Sequence, residues 1–226
     1  MKKILLALLF STSVGLLFGQ ESELRKVGSF RGIKSSQAID VYLKKGDKEE
    51  VRVETVNIRL SEVLTEVSGN TLRIHLEKNS YRKVNVKVYV TYVTLEKISA
   101  SSASNIFSEG TIKASSLDIS ASSAASIEIS IDADRVDVDA SSAANIDLEG
   151  KANDLSVEVS SAGDVDAYNL VSQNVTARAS SAGSAKVSVS KELDADASSA
   201  GSIRYRGNPT RTNTGSSSGG SVKKSS

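Results

Sequence analysis

Three carboxylates set nineteen residues apart, Glu128, Asp147 and Asp166, are the side chains in this sequence best placed to do chemistry. They fall at one fixed offset from a recurring turn motif, which predicts a single outward column one rung apart. Like charges at rung spacing repel, so such a column needs salt, water or a cation beside it. Calcium suits hard carboxylate oxygens and is the one metal candidate, placed at Glu128, Asp147 and Asp166. The competing reading is a solvated acidic face. It gains weight because the loops lack the Gly- and Asp-rich nonapeptide that builds calcium sites in other β-rolls. Lys186 and Arg204 continue the same column. A second column holds Asp118, Asp137, Ser156, Thr176 and Asp194. A third holds Ser120, Asp139, Glu158, Arg178 and Asp196, where Arg178 between two acids reads as a surface ion-pair ladder.

The other residue types offer less. His75 is the only histidine and there is no cysteine. Zinc sites and histidine-based triads are therefore not expected. The serines have no neighbouring base in a recognisable arrangement. Neither a Gly-x-Ser-x-Gly elbow nor a Gly-rich phosphate loop occurs. Carboxylates are plentiful, and polysaccharide-cleaving enzymes do use parallel β-helices, but here the looser turns are short and build no walled cleft. The expectation is a protein that is not an enzyme and uses no cofactor.

The positioning elements are written in a repeat. Ser-Ser-Ala begins at Ser101, Ser122, Ser141, Ser160, Ser180 and Ser198, at intervals of 21, 19, 19, 20 and 18 residues. Before each motif, apolar residues fall at every second position, as in Val136-Asp-Val138-Asp-Ala140 and Leu155-Ser-Val157-Glu-Val159. After it, a second alternating run begins three residues past the Ala, at Ile106, Ile127, Ile146, Val165, Ala185 and Ile203. Period-two alternation is a strand with one buried face. Each repeat is thus strand, tight Ser-Ser-Ala turn, strand, looser turn. One such pair cannot bury its apolar face alone, so the copies must stack. The fold class is all-β: a parallel β-helix, or solenoid, of two facing sheets with about 20 residues per rung. The polar column beside the tight turn, Asn105, Ser126, Asn145, Asp164, Ser184 and Ser202, reads as a structural ladder. In the first copy Leu95 sits one place too early for the pattern, which suggests a bulge.

Ahead of the repeats, residues 20–96 form an N-terminal β region expected to cap the solenoid. Ile39 to Leu43, Val51 to Val53, Leu72 to Leu76 and Val84 to Val90 alternate as strands, whereas Val56 to Leu64 reads as a short helix or a crossing loop. The repeats occupy 97–207. Residues 208–226 are rich in Ser, Gly, Thr and Asn and are expected to be disordered. That leaves Ile203-Arg-Tyr-Arg206 as a bare last rung, a possible route to a homo-oligomer.

Lys2 and Lys3, then the apolar stretch from Ile4 to Phe18, read as a secretory signal peptide over residues 1–19, cut near Gly19 and Gln20. No other apolar run is long enough to span a membrane. With no cysteine, neither a lipid anchor nor a disulfide is expected. Removing the two lysines takes the net charge from +1 to −1, and leaving out Arg211, Lys223 and Lys224 of the tail takes it to −4. Such a body gives no reason to expect nucleic acid. Aromatics make up 4% of the chain, with no Trp, which argues against a stacking-based sugar or base site.

The order of Phe30-Arg-Gly-Ile33, Ile39-Asp-Val41-Tyr-Leu43, Glu50-Val-Arg-Val53, Gly69-Asn-Thr-Leu72-Arg-Ile74 and the Val84 to Val93 strand leading into the repeats resembles the head GIN domain family, proposed auto-transporter adhesins of Bacteroidetes-type bacteria. The resemblance runs from about Phe30 to Ile203. It implies a two-sheeted β-helix, an adhesion role and no catalytic residues. The turns depart from it: the family's are Gly-Ser-Gly-like, and these are Ser-Ser-Ala. Thr94 also stands before Leu95 where the family often has Pro. Together these readings give an exported protein of the periplasm, cell surface or medium of a Gram-negative bacterium, binding a surface glycan or protein ligand through its repetitive faces. The alternative is a periplasmic ligand-binding or envelope-maintenance protein.

Overall fold

The computed structural model describes residues 21–77 and 83–225. The signal peptide expected over 1–19 lies outside the described residues. Sixteen strands run in chain order: β1 (Glu21–Arg25), β2 (Gly32–Ser35), β3 (Asp40–Lys45), β4 (Glu50–Val56), β5 (Val63–Ser68), β6 (Thr71–Leu76), β7 (Asn85–Tyr92) and β8 (Lys97–Ala100) come first. The repeats follow as β9 (Asn105–Ala121), β10 (Ser126–Ala140), β11 (Asn145–Val159), β12 (Asp164–Ala179), β13 (Ser184–Ala197), β14 (Ser202–Arg206), β15 (Arg211–Ser216) and β16 (Ser221–Lys224). A short 3-10 turn at Leu60–Glu62 falls in the stretch that the sequence left open between helix and loop. The chain is a β-solenoid with two parallel faces, as the repeat predicted.

Each long strand from β9 to β13 runs on through the looser corner, pairing on both sides of it. Its first half lies in one sheet and its second half in the other, and it pairs in parallel with the same halves one rung away. The inward column Leu117, Val136, Leu155, Val175 and Leu193 is buried, as is the facing column Ile106, Ile127, Ile146, Val165, Ala185 and Ile203. Ala121, Ala140, Ala179 and Ala197 fill the narrow space next to the tight turns. Burying these aliphatic side chains supplies the stability that the absent disulfides do not.

The Ser-Ser-Ala turns have an unusual backbone. The second Ser and the Ala of all six adopt φ between 48° and 60°, the left-handed region. In each, the N–H of the fourth residue donates to the carbonyl of the first at 2.7–3.3 Å, as in Ser104 to Ser101 and Gly201 to Ser198. Two left-handed residues closed by this bond match a type I′ turn, normally the preserve of Gly and Asn. The strain is offset by stacking. The Ala N–H of each turn donates to the second-Ser carbonyl of the next, from Ala103 to Ser123 through Ala200 to Ser218, at 3.0–3.2 Å. Sheet pairing therefore continues around the corner.

The unequal repeat lengths are absorbed at the opposite corner. The register slips where β9 carries Ser108 to Gly110 against Ile129, and again at Ala167 to Leu170 and near Ser172. Gly150 lies at this corner with φ 112°, where a Cβ would overlap the Ile131 carbonyl. The irregularity expected at Leu95 is present just ahead of β8: Leu95 is buried, and the N–H groups of Glu96 and Lys97 both donate to the Arg31 carbonyl, at 2.8 and 3.2 Å.

Two expectations need correction. The N-terminal region does more than cap, because β2 and β3 form a rung themselves. Ser36-Gln37-Ala38-Ile39 makes its tight turn, with φ 66° at Gln37 and 55° at Ala38, and the Ala38 N–H joins the ladder at Ser102. This rung pairs with β8 and β9 on one side and with β6 and β7 on the other. Only β1, β4 and β5 are antiparallel additions that close this end.

The tail is not disordered either: β15 pairs with β13 and β16 with β14. Between them Ser217-Ser218-Gly219-Gly220 repeats the tight turn, with φ 48° at Ser218 and the Gly220 N–H donating to the Ser217 carbonyl at 2.8 Å. A finished rung offers a template of backbone groups, so the segment docks without a core of its own. Its inward positions are Thr212, Thr214 and Ser216, stacked on Leu193, Ala195 and Ala197. This is the polar terminal repeat that a solenoid requires. Ile203 is fully buried, so the bare rung expected to drive oligomers does not exist.

Two glycine corners separate strain from clash. Gly110, with φ 105°, has open space around its missing Cβ. Gly110→Ala is expected to cost about 1–2 kcal/mol, from backbone strain alone. Gly150→Ala should cost about 3 kcal/mol or more, because overlap adds to strain. Denaturant midpoints of the two variants check this order. Conversely Ala143→Gly, at φ 59°, should stabilise by about 0.5 kcal/mol, relief of left-handed strain exceeding added chain entropy.

Candidate functional site

Because the rungs are in register, every outward residue belongs to a column, and the column through Glu128 is the longest with a defined chemistry. It runs Arg52, Tyr89, Tyr42, Phe107, Glu128, Asp147, Asp166, Lys186, Arg204, Lys223. The three predicted carboxylates are consecutive within it. The aromatic segment escaped the sequence reading, although Phe107 stands two residues after Asn105 just as Glu128 stands two after Ser126. What hid it is the folding order, which brings Tyr89 and Tyr42 to adjacent rungs across the chain.

The aromatic rings stack on one another. Tyr89 and Tyr42 have centroids 5.1 Å apart, Tyr42 and Phe107 5.4 Å. The Arg52 guanidinium covers the far face of Tyr89 at 4.0 Å. Tyr42 thus has both faces occupied, and the ladder offers no broad stacking platform.

The acidic segment lines an open groove of about 660 Å3. Glu128, Asp147, Glu149 and Asp166 form its acidic surface, and Tyr168 and Arg206 one rim. Arg206 lies 3.9 Å over the Tyr168 ring, whose hydroxyl meets the Ser225 hydroxyl at 2.6 Å. Both oxygens of Asp166 are engaged: one accepts the Tyr168 N–H at 3.1 Å, the other the Lys186 ammonium at 2.8 Å. Hydrogen bonding to Asp166 raises the pKa of Lys186. The Asp147 carboxyl is also raised, first by burial and then by the charges of Asp166, Glu128 and Asp164. As for calcium, Asp166 is already satisfied by Lys186, and among the described residues no three His, Cys, Asp or Glu side chains are grouped to hold a metal ion.

Elsewhere the columns are balanced locally. Asp118 pairs with Lys97 at 2.9 Å and Asp137 with Arg135 at 2.9 Å. Arg178 lies in register between Glu158 and Asp196, yet it forms no ion pair with either among the described residues, so the predicted ladder is only an alignment. Side-chain amide ladders do form, chiefly at the loose corner: Gln173 donates to Asn153 at 2.8 Å and Asn153 to Asp134 at 2.9 Å. Beside the tight turn, where a ladder was expected, one such bond occurs, from Asn105 to Asp40 at 2.7 Å. His75 hydrogen-bonds the Leu76 backbone oxygen at 3.2 Å.

A β-solenoid with in-register outward columns is the class that this geometry defines. A family model described as "Putative auto-transporter adhesin, head GIN domain" matches residues 29–209, and the chain belongs to that family. Solved structures share the fold. A "putative adhesin" from Bacteroides fragilis superposes with a TM-score of 0.84 at 21% identity, covering 92% of this chain and 97% of that one. A "putative adhesin" from Parabacteroides merdae gives 0.75 at 17% identity, covering 92% and 96%. A "putative lipid binding protein" from Parabacteroides distasonis gives 0.69 at 17%, covering 92% and 97%. No curated protein matches the sequence. No helix among the described residues is long and apolar enough to cross a membrane.

The raised Asp147 pKa has a definite sign. A carboxyl that is harder to ionise in the folded state gives stability that is full below its ordinary pKa and lost as pH rises through the folded value. Asp147→Asn should therefore melt at a higher temperature than the parent protein at pH 7, and the gap should close towards pH 3. A pH series of thermal melts checks it; equal midpoints at pH 7 would refute the like-charge repulsion.

Proposed function

We propose that this protein is a non-enzymatic, exported envelope or surface protein, an adhesin that binds through the outer faces of its solenoid. One observation carries the reading: the charged and aromatic side chains stand in unbroken in-register columns on an open face, not in a walled cleft. Repeated columns offer many similar weak contacts, and avidity turns these into useful binding. Membership of the head GIN domain family supports an adhesive role, and the basic, apolar leader supports export. The ligand class is a surface glycan or an extracellular protein.

Two measurements test this. Proteolysis of intact cells should cut the mature protein; full protection would move it to the periplasm and favour a ligand-binding or maintenance role there. An array of glycans and matrix proteins probed with the purified protein should give binding that Glu128→Lys/Asp147→Lys alters without changing the melting temperature by more than a few degrees. Cleavage of an acidic polysaccharide, with or without calcium, would overturn the non-enzymatic reading.

A further inference from the structure

The order of charges along the central column has a symmetry of its own. Glu128, Asp147 and Asp166 are followed immediately by Lys186, Arg204 and Lys223, one residue per rung. The two middle residues, Asp166 and Lys186, pair within the chain at 2.8 Å. The outer four do not: among the described residues the side chains of Glu128, Asp147, Arg204 and Lys223 form neither a hydrogen bond nor an ion pair. Two free acids and two free bases thus flank a satisfied centre at equal rung distances. A two-fold axis lying in the plane between two facing copies, parallel to the strands and passing over the midpoint of Asp166 and Lys186, reverses the order of the rungs. It sets Asp147 against Arg204 of a second copy and Glu128 against Lys223, and each contact occurs twice, as an isologous interface requires.

We propose that the outer face of the sheet bearing Glu128, Asp147, Arg204 and Lys223 is a self-complementary interface through which two copies of this chain associate antiparallel, face to face. The long basic side chains of each copy enter the open acidic groove of the other, beside Glu128 and Asp147. The flanking columns place no like charges together. Arg206 falls opposite Glu149, Asn145 opposite Ser202 and Asp164 opposite Ser184. Asp147, which has no cation paired with it in the single chain, gains one.

The interface is small. Six rungs at about 4.8 Å and roughly five residues at about 3.3 Å give about 475 Å2 per copy. That is less than a permanent dimer buries, so the association is weak and reversible, its specificity electrostatic. It differs from pairing through the last rung, which β15 and β16 cover, and it does not rest on the adhesin reading.

Sedimentation equilibrium of the mature chain up to millimolar concentration tests it. At about 0.01 M salt, where charges act over about 30 Å, the apparent mass should approach twice that of the monomer. At about 1 M salt, where they act over about 3 Å, the dissociation constant should rise at least about tenfold. Arg204→Glu/Lys223→Glu and Glu128→Lys/Asp147→Lys should each be monomeric at low salt, with far-ultraviolet dichroism like that of the parent. Mixed one to one, they should form heterodimers, because all four contacts become attractive again. A parent chain that stays monomeric at low salt overturns the proposal, even if an oligolysine peptide binds the groove. So does a charge-reversed pair that fails to associate on mixing, or a single variant that dimerises as the parent does.

Discussion

The hydrogen-bonded column of left-handed turns is the constraint on which the rest of this structure depends. A Ser-Ala pair at φ near 50–60° is strained, by about 1–2 kcal/mol per residue. One isolated turn of this kind would be a poor bet against the glycine turns that usually fill the role. Stacked, it becomes self-supporting, since each Ala N–H finds the second-Ser carbonyl of the next turn at about 3 Å. Removing a turn from register would leave both groups unpaired in two rungs. The ladder thus fixes the alignment of every rung at one corner, and with it which side chains face inward.

A column in fixed register cannot choose its neighbours, and that determines the surface chemistry. Any repeated residue type is stacked on itself at rung spacing. Amides tolerate this, because each can donate and accept: Gln173 donates to Asn153, which donates to the Asp134 carboxylate. Aromatic rings tolerate it by stacking, as Tyr89, Tyr42 and Phe107 do. Carboxylates do not, so Asp118 and Asp166 pair with Lys97 and Lys186 on the adjacent rung, and Asp137 pairs with Arg135 two residues along its own strand. The stretch from Glu128 to Asp166 is where compensation is least complete, and Asp147 resists ionisation there. The site is a consequence of the register, not an addition to it.

The same register explains what the sequence revealed and what it hid. The rungs from Ser101 to Arg206 were legible because chain order and spatial order coincide there, so one motif and one alternation defined turn, core and column together. Glu128, Asp147 and Asp166 were placed correctly for that reason. The rung of β2 and β3 was not legible. Gln37 replaces the second Ser of its turn, and the chain makes β4 and β5 before β6 and β7 return to one side of it and β8 and β9 to the other. The aromatic ladder depends on that return and was hidden with it. The tail misled for a different reason. Its Ser, Thr and Gly content forbids a core, but a strand docking on a finished sheet edge needs backbone groups first and side chains second. Ser217-Ser218-Gly219-Gly220 carried the turn signal nonetheless, nineteen residues after Ser198.

The polar tail rung also bears on how the solenoid ends. A stack that stopped at β14 would expose Ile203 and the ends of the aliphatic columns, together with a row of unpaired backbone groups. Substituting Thr212, Thr214 and Ser216 for leucine and alanine keeps the pairing geometry while removing the apolar reward for adding another rung. Tyr168 and Ser225 then tie the last rung back to the third one before it at 2.6 Å. At the other end β1, β4 and β5 run antiparallel, so a parallel rung cannot continue the stack in register past them. On the flanks the fold imposes order without imposing identity. Outward residues can change type from rung to rung without disturbing the inward columns or the turn ladder. Surface chemistry and folding are thereby assigned to different sets of residues in the same strands.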